Sequence, residues 1–257
     1  MTTESRRILG VRVDATDYAG CVEQILRWSR QEHSRYVCFG TVSGIMGSYD
    51  SRDYREALDR ADLVTSDGMP LVWLLRWLGV PGATRVYGPD LMPLALEAAE
   101  AAGIPVGFYG GTEHTLTRLV ARVTARFPNL NIAYANSPPF RTLTAEEDSR
   151  AIDQITRAGV RILFVGLGSP KQDFWMHAHV GRVHAVMLGV GAAFDFLAGT
   201  KPQAPRWMQR SGLEWLFRLA TEPKRLWRRY LQHNPRFVVL ALTQVLRTRF
   251  HEYRRTT

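Results

Sequence analysis

The sequence predicts an α/β fold in which helices flank a mainly parallel sheet, with a helical appendage at the C-terminal end. Three observations support this prediction: short apolar runs alternate with helical-period stretches, the strand pattern stops near residue 205, and basic residues concentrate after residue 200. The chain has 257 residues, 46% hydrophobic and 22% charged, an ordinary globular composition that can bury a large core. We expect an α/β domain over residues 1–200 and a basic helical appendage over 201–257.

Short apolar runs mark the predicted strands. They cover residues 8–13, 36–40, 63–65, 105–109, 131–134, 161–166 and 185–189. Amphipathic stretches at 18–30, 91–101, 116–126 and 145–158 predict helices, and an apolar helix is expected at 71–78. This alternation is typical of βαβ units, so we expect a Rossmann-like arrangement of the sheet.

The pattern changes from about Pro205, where strand signals stop. Helices are predicted at 205–220, 223–231 and 235–253, because Pro205, Pro223 and Pro235 each fit the first turn of a helix. The longest apolar stretch near the end, 237–246, is far shorter than the ~20 residues needed to span a bilayer. Residues 1–7 lack the apolar segment of a signal peptide, so a cytosolic or peripheral protein is expected.

The net charge of +9 is unevenly distributed. Residues 201–257 contain 13 lysines and arginines and 3 acidic residues, which leaves 20 basic and 21 acidic residues in the first 200. A neutral body with a cationic tail suggests a polyanionic partner for the tail, either nucleic acid or an anionic membrane surface. A solvated basic helix without a partner is the alternative. The neutral body and the lack of a nucleic-acid motif favour the membrane.

Arginines and aromatic residues interleave in this tail. Arg225, Arg228 and Arg229 share one helical face, and Leu226 and Tyr230 share another. A cationic face beside aromatic residues suits the headgroup region of an anionic bilayer. Another option is that some of these arginines close over an active site and bind a diphosphate.

Small or polar residues follow four predicted strands, at the edge of the sheet where open α/β folds bind ligands. They are Thr41, Asp67, the pair Gly110 and Gly111, and the pair Gly166 and Gly168. Glycines at such turns let backbone N–H groups approach a phosphate, although they are also common there for steric reasons. The dinucleotide and P-loop fingerprints are absent.

Three charged residues near this edge have competing interpretations. Asp67 is either a catalytic group or the N-cap of the following helix, a frequent role for aspartate. Arg85 either holds a diphosphate or pairs with a surface carboxylate. Asp195 either accepts hydrogen bonds from a ribose or base, or caps the next turn. The chain has no DxD or HExxH motif, and we expect no metal ion and no cofactor.

An ordered set of motifs between residues 8 and 246 resembles the WecG/TagA/CpsF glycosyltransferases. The resemblance rests on Ser66-Asp67-Gly68, on the segments 85–90, 166–172 and 189–199, on Ala204-Pro205-Arg206-Trp207, and on 212–219 and 222–225. It implies an inverting, metal-independent enzyme of cell-surface polysaccharide synthesis. Such an enzyme transfers a sugar, often N-acetylmannosamine, from a UDP donor to a polyprenyl-diphosphate-linked sugar at the inner face of the plasma membrane.

The resemblance also assigns roles to residues. Asp67 would be the general base, with Thr41 and Gln172 completing the catalytic set. The C-terminal arginines that reach the active site and the membrane would be Arg218, Arg225 and Arg228. One position departs from the family, which commonly has asparagine where this chain has Ser43. The identity of the sugar therefore does not follow from the motifs.

Two other functions are compatible with parts of the sequence. One is another nucleotide-binding α/β enzyme, such as an NAD-dependent oxidoreductase, although its phosphate-binding fingerprint is missing. The other is a basic nucleic-acid-binding protein without catalysis, which the neutral body disfavours. We expect no nucleic-acid partner, and the sequence leaves a homo-oligomer open.

Overall fold

The computed structural model describes the backbone of residues 4–256 and the side chains of residues 4–249, and it has the predicted α/β fold. Eight strands are present in this part of the chain: β1 (Ser5–Ile8), β2 (Val11–Asp14), β3 (Arg35–Gly40), β4 (Leu63–Ser66), β5 (Val106–Gly110), β6 (Ile132–Asn136), β7 (Ile162–Gly166) and β8 (Val186–Leu188). Strands β3 to β8 form one six-stranded sheet in the order β4-β3-β8-β7-β5-β6, and every neighbouring pair in it is parallel.

Twelve helices lie among the described residues. They are α1 (Tyr18–Ser29), α2 (Val42–Asp50), α3 (Arg52–Asp59), α4 (Met69–Trp77), α5 (Gly88–Ala101), α6 (Glu113–Arg126), α7 (Ala145–Arg157), α8 (Lys171–Ala178), α9 (Ala193–Ala198), α10 (Arg206–Arg210), α11 (Glu214–Thr221) and α12 (Pro223–Thr256). Two apolar clusters fill the core: α1, α5, α6 and α9 contribute to one, and α2, α3, α4, α7, α8 and α12 contribute to the other. The helices therefore cover the sheet in two layers.

The predicted first strand at 8–13 is wrong. The structure has a β1–β2 hairpin there, which forms its own two-stranded antiparallel sheet. Leu9 and Gly10 both have positive φ, 48° and 95°, as a two-residue hairpin turn requires. The apolar residues on either side of this turn, Ile8 and Val11, are both buried and so resemble one continuous strand in the sequence.

The predicted helix start at Pro235 is also wrong, because α12 continues through this proline. Proline inside a helix removes one backbone hydrogen bond and costs about 3 kcal/mol. The following turns compensate through an apolar face: Phe237, Ala241 and Val245, spaced four residues apart, are all buried in the core cluster. The predicted helix at 205–220 is divided at Gly212 into α10 and α11.

Polar contacts at Arg236 and Gln244 hold helix α12 against the α/β body. Arg236 forms a two-pronged ion pair with Asp50 at the end of α2, with both distances 2.8 Å. Gln244 accepts a hydrogen bond from the Leu9 N–H at 3.0 Å and donates one to the Arg7 carbonyl at 2.6 Å. Within residues 4–256, no helix combines the length and the apolar composition needed to cross a membrane.

Candidate active site

Strand register places Thr41 and Asp67 side by side. Gly40 is paired with Ser66 in the parallel β3–β4 ladder, so the next residue on each strand emerges at the same level of the sheet edge. The Asp67 N–H donates to the Gly40 carbonyl at 3.0 Å and extends this pairing by one residue. The Thr41 hydroxyl accepts a hydrogen bond from the Gly44 N–H at 3.0 Å and caps α2.

Asp67 does not cap the helix that follows it. The N-cap of α4 is Gly68, and no side chain accepts a hydrogen bond from the first turn of that helix. The mostly buried Asp67 carboxylate instead lies 3.6 Å from an Arg85 Nη atom. The helix-cap interpretation is therefore wrong for this residue, whose side chain faces the Arg85 guanidinium.

Burial raises the pKa of Asp67 to about 6, although the Arg85 guanidinium favours its charged form and acts in the opposite direction. The nearby carboxylate of Glu214 raises this pKa further, and Arg218 lowers it. A carboxylate with a pKa of about 6 is mostly ionised at neutral pH and holds a proton more strongly than an ordinary aspartate. Both properties suit a general base.

Arg85 connects Asp67 with the appendage. Its Nε donates to the Asp67 backbone carbonyl, and one Nη donates to Glu214 of α11 at 2.5 Å. The Tyr87 hydroxyl donates to the same Glu214 carboxylate at 2.9 Å, and the Arg85 guanidinium lies 4.0 Å from the Tyr87 ring. Arg85 is therefore in a mostly buried network rather than in a surface ion pair.

A cavity of about 530 Å³ lies between the edge of the sheet and the appendage. Polar side chains from both parts of the molecule line it: Thr41, Ser43, Asp67, Arg85, Gln209, Glu214, Arg218, Arg229 and Asn234. Asp67, Arg85, Glu214 and Arg218 lie close together and define what we call its polar end. The remaining walls, from α4 and α12, are largely apolar. A second cavity of about 640 Å³ shares Arg85 with the first and is lined by three more arginines, Arg126, Arg206 and Arg210.

The three predicted tail arginines occupy different environments. Arg218 lines the first cavity and lies 4.0 Å from Glu214. Arg225 is exposed and forms an ion pair with Glu222, and Arg228 is exposed with its guanidinium 5.2 Å from the Trp227 ring centroid. Neither lines the two cavities. Arg229 does line the first one, so Arg218 and Arg229 both reach the cavity that Asp67 lines, and Arg225 and Arg228 lie on the surface.

Gln172 lies away from the cavity walls and is buried. Its side-chain carbonyl accepts from the Gly168 N–H at 3.0 Å, and its amide nitrogen donates to the Gly189 carbonyl and to the Ser169 hydroxyl. The side chain thus ties the loop after β7 to the end of β8. These contacts give Gln172 a part in positioning the two loops, and its predicted catalytic role stays a prediction.

Two of the predicted phosphate-binding glycines, Gly110 and Gly166, are closely packed. A methyl group on Gly166 would lie 2.5 Å from the Phe194 ring, and one on Gly110 would lie 2.6 Å from the Gly166 carbonyl carbon. The N–H groups of Gly111 and Gly168 already donate to the Gly166 carbonyl and to Gln172, respectively. The glycine residues at these positions have a steric explanation, and their contact with phosphate stays a prediction.

Asp195 accepts a hydrogen bond from Thr115 of α6 at 3.4 Å and does not occupy the N-cap of α9, which is Ala192. Its carboxylate accepts from the Thr200 hydroxyl at 3.0 Å and lies 3.3 Å from the Lys201 ammonium. A role in binding a ribose or base stays a prediction. In the part of the chain that the structure describes, no group of three or more His, Cys, Asp or Glu residues is arranged to hold a metal ion.

Sequence patterns alone did not assign a role to Glu214, and they gave Arg229 only the general role shared by the arginines of its predicted helical face. Glu214 lies 129 residues from Arg85 in the chain, so its contact there has no local signal. In the sequence Glu214 is one of three acidic residues in a strongly basic segment, and nothing in this pattern identifies its partner. Arg229 differs from Arg228 only in the direction that it faces on α12.

Comparison with known proteins agrees with the geometry. The model of the glycosyl transferase WecG/TagA/CpsF family matches residues 6–251. A Bacillus spizizenii protein named N-acetylglucosaminyldiphosphoundecaprenol N-acetyl-beta-D-mannosaminyltransferase is 32% identical over 191 residues, or 74% of this chain and 71% of the relative. A Staphylococcus aureus protein of the same name is 27% identical over 237 residues, 89% of this chain and 91% of the relative. The match includes both Asp67 and the appendage that closes over it, and the chain belongs to the WecG/TagA/CpsF family of glycosyltransferases, as its motifs predicted.

Proposed function

We propose that this glycosyltransferase moves a sugar from a UDP donor to a polyprenyl-diphosphate-linked sugar, with inversion and without a metal ion. The observation that carries the proposal is the Asp67 carboxylate, mostly buried, with a pKa of about 6, on the wall of the cavity between sheet and appendage. Membership of a glycosyltransferase family decides against the oxidoreductase and against a purely binding role.

The names of the relatives suggest the substrates. They describe transfer of N-acetylmannosamine to N-acetylglucosaminyldiphosphoundecaprenol. We extend this to the present chain as an N-acetylmannosamine-type or related hexose donor and an acceptor that is a lipid-linked N-acetylglucosamine. Ser43 lines the cavity where the family commonly has asparagine, and its shorter side chain makes a different contact with the transferred sugar.

The proposed reaction is a direct displacement. The acceptor hydroxyl oxygen attacks the anomeric carbon, its proton passes to the Asp67 carboxylate, and the bond from the anomeric carbon to the UDP oxygen breaks. The new bond forms on the face opposite to the departing UDP, which inverts the configuration. Thr41, beside Asp67 on the neighbouring strand, is placed to orient the reacting sugar.

The departing diphosphate gains negative charge that must be stabilised. Arg85 and Arg218, both at the polar end of the cavity, supply positive charge there. The ends of β4, β3, β8, β7 and β5 lie in this order, so the edge leads from Asp67 past Thr41 to Gly166 and Gly110. We place the donor nucleotide along this edge, near Gly111, Gly168 and Asp195, with Gln172 holding the loops in place.

The acceptor is a membrane lipid, and the exposed arginines of the appendage fit a surface role. Arg225 and Arg228 project from α12 and do not line the site. We propose that they contact anionic headgroups on the inner face of the plasma membrane, with the protein peripheral and cytoplasmic.

The test is a screen of UDP-sugars for transfer to a synthetic polyprenyl-diphosphate-linked N-acetylglucosamine, with the product identified by mass. We expect one hexose to be added by the wild-type chain in the presence of EDTA. Asp67→Asn should lower the turnover rate by roughly 10²- to 10⁴-fold, the usual contribution of a general base.

Three results would contradict the proposal. Near-wild-type turnover by Asp67→Asn would remove Asp67 from the reaction. Loss of activity in EDTA that is restored by Mn²⁺ or Mg²⁺ would contradict the metal-free mechanism. Absence of product with every UDP-sugar would remove the donor class.

A further inference from the structure

The cavity beside Asp67 continues into a groove with apolar walls. One wall is helix α4, where Met69, Trp73 and Trp77 line the cavity at four-residue intervals and so share one face. From Met69 to Trp77 this face extends over about 12 Å, at 1.5 Å per residue. Met69 is two residues beyond Asp67, so the wall begins at the candidate base.

The facing wall is helix α12. Phe237, Val238, Ala241 and Leu242 line the groove. Phe237 and Ala241 are buried against the body, whereas Val238 and Leu242 are half-exposed. Trp77 on the opposite wall is also half-exposed. Apolar side chains thus face one another across a space that is open to water, which is unfavourable until an apolar group covers them.

Both walls run in the same direction, away from the polar end of the cavity. At the far end of α4, the Leu78 carbonyl accepts a hydrogen bond at 2.9 Å from Arg6 of the β1–β2 hairpin. At the far end of the α12 wall, Gln244 is bonded to Arg7 and Leu9 of the same hairpin. At the near end, the ring centroid of Tyr230 on α12 lies 5.9 Å from that of Trp215, the residue after Glu214. The groove therefore leads from the polar end of the cavity to the β1–β2 hairpin.

Two arginines lie at this near end: Arg218 is 4.0 Å from Glu214, and Arg229 directly precedes Tyr230 on α12. Arg218 and Arg229 line the cavity from α11 and α12. The Nε atom of Arg229 is buried and has no hydrogen-bond partner among the described residues. A buried guanidinium nitrogen without an acceptor is costly, and an anionic oxygen at this place would satisfy it.

We infer that the groove between α4 and α12 binds the first isoprene units of the acceptor's lipid chain, an inference that rests on the proposed function. The acceptor then lies with its sugar hydroxyl at Asp67, its diphosphate at Arg229, and its lipid between the helices, and Arg218 is left to the departing UDP. An occupant with an anionic head and an apolar tail matches this order of surfaces. At about 530 Å³ the cavity has the size of an ordinary ligand pocket, so most of a long polyprenyl chain stays in the bilayer.

The test compares the binding of two soluble diphosphates to the full chain by calorimetry. Farnesyl diphosphate carries three isoprene units and dimethylallyl diphosphate carries one, and their charged groups are the same. We expect farnesyl diphosphate to bind more tightly by about tenfold or more, because each buried methylene adds to the free energy of binding. Concentrations stay below those at which farnesyl diphosphate forms micelles.

Matched variants separate the groove from the outer surface of α12. The double variant Val238→Gln with Leu242→Gln makes the groove wall polar without adding charge. The control, Val239→Gln with Leu246→Gln, changes exposed residues of the same helix that do not line the groove; Val238 is 54% exposed and Val239 64%. We expect the preference for farnesyl diphosphate to disappear in the groove variant and to remain in the control. If the groove variant does not fold, Trp77→Gln on the opposite wall replaces it.

Other outcomes would overturn the inference. Equal affinity of the two diphosphates in the wild type would show that the tail is not bound. Equal loss of preference in both double variants would indicate general adsorption to α12. A groove covered by a second copy of the chain would appear as a dimer that farnesyl diphosphate does not dissociate.

Binding and transfer fail independently. Binding that depends on the isoprenoid chain, without product from any acceptor, would overturn the proposed function but not the inferred role of the groove. Equally efficient transfer to acceptors with one and with three isoprene units would overturn the inferred role of the groove but not the proposed function.

Discussion

The two sides of the candidate site are held in different ways. On the body side, Thr41 and Asp67 are placed by the backbone, through the pairing of Gly40 with Ser66 and the hydrogen bond from the Asp67 N–H. On the appendage side, Glu214 is held by side chains, through its contacts with Arg85 and Tyr87. Backbone ladders persist as long as the sheet does, whereas side-chain contacts can open locally.

This difference separates the contacts that place the proposed base, Asp67, from the contacts that adjust its pKa. The sheet fixes the position of Asp67 even if the appendage shifts. The appendage supplies Glu214 and Arg218, which move the pKa of Asp67 in opposite directions. We infer that the body determines where the reaction occurs, and that the appendage determines the charge balance and the access of the lipid substrate.

The largest effect expected on the body side is on stability. The folded-state pKa of Asp67, about 6, is above the ordinary value near 4, so folding disfavours the charged form. The contribution of Asp67 to the free energy of unfolding of the wild type is fully present below pH 4 and is lost as the pH rises through about 6. Asp67→Asn removes this cost, and we expect it to increase the free energy of unfolding at pH 7.5 by up to about 3 kcal/mol.

Denaturant unfolding at pH 4 and pH 7.5 measures this gain. The variant should exceed the wild type mainly at the higher pH. Asp153→Asn, on the exposed face of α7, is the control and should show the same small change at both pH values. A gain that is equal at both pH values, or a loss at pH 7.5, would contradict the burial of a charged carboxylate at this position.

On the appendage side, the next effect concerns the membrane. Arg225 and Arg228 are exposed, and each basic residue near an anionic surface contributes about 1 kcal/mol to binding. We expect Arg225→Gln with Arg228→Gln to weaken sedimentation with phosphatidylserine-containing vesicles by up to roughly 30-fold at low salt. Arg150→Gln with Arg157→Gln removes the same charge from exposed positions of α7 and should have little effect. Equal losses in the two variants would mean that only net charge matters.

The body side was largely predictable from sequence. A short apolar run ending in Ser66-Asp67-Gly68 indicates a buried strand that ends in a polar loop, and the parallel arrangement brings such ends to one edge. The sequence did not distinguish a base from a helix cap at Asp67, since both interpretations need only an aspartate before a helix. The distinction depends on the helix starting one residue later, with Gly68 as its cap.

The appendage was predictable as basic and helical but not in its contacts. Pro235 is a good helix-start signal, yet the burial of Phe237 and Ala241 maintains the helix through it. The contact of Glu214 with Arg85 joins residues far apart in the chain, and no periodicity reports such a pair. Arg228 and Arg229 are adjacent and identical in chemistry, and only the rotation of α12 decides which of them lines the cavity.

The smallest effect expected is on the pH profile, and it tests whether the two sides act together. A base must be unprotonated, so kcat/KM should rise with pH through about 6 in the wild type and be lost below it. Glu214 raises the pKa of Asp67, and Glu214→Gln should therefore move this acidic limb to lower pH while keeping acceptors for Tyr87 and Arg85. Glu222→Gln changes an acidic residue of the same appendage that pairs with Lys201 and Arg225 outside the cavity, and its limb should stay in place. If the acidic limb of the pH profile does not move in Glu214→Gln, the appendage does not alter the pKa of Asp67. A contact that only holds the fold together would change the rate without shifting the pH at which Asp67 loses its proton.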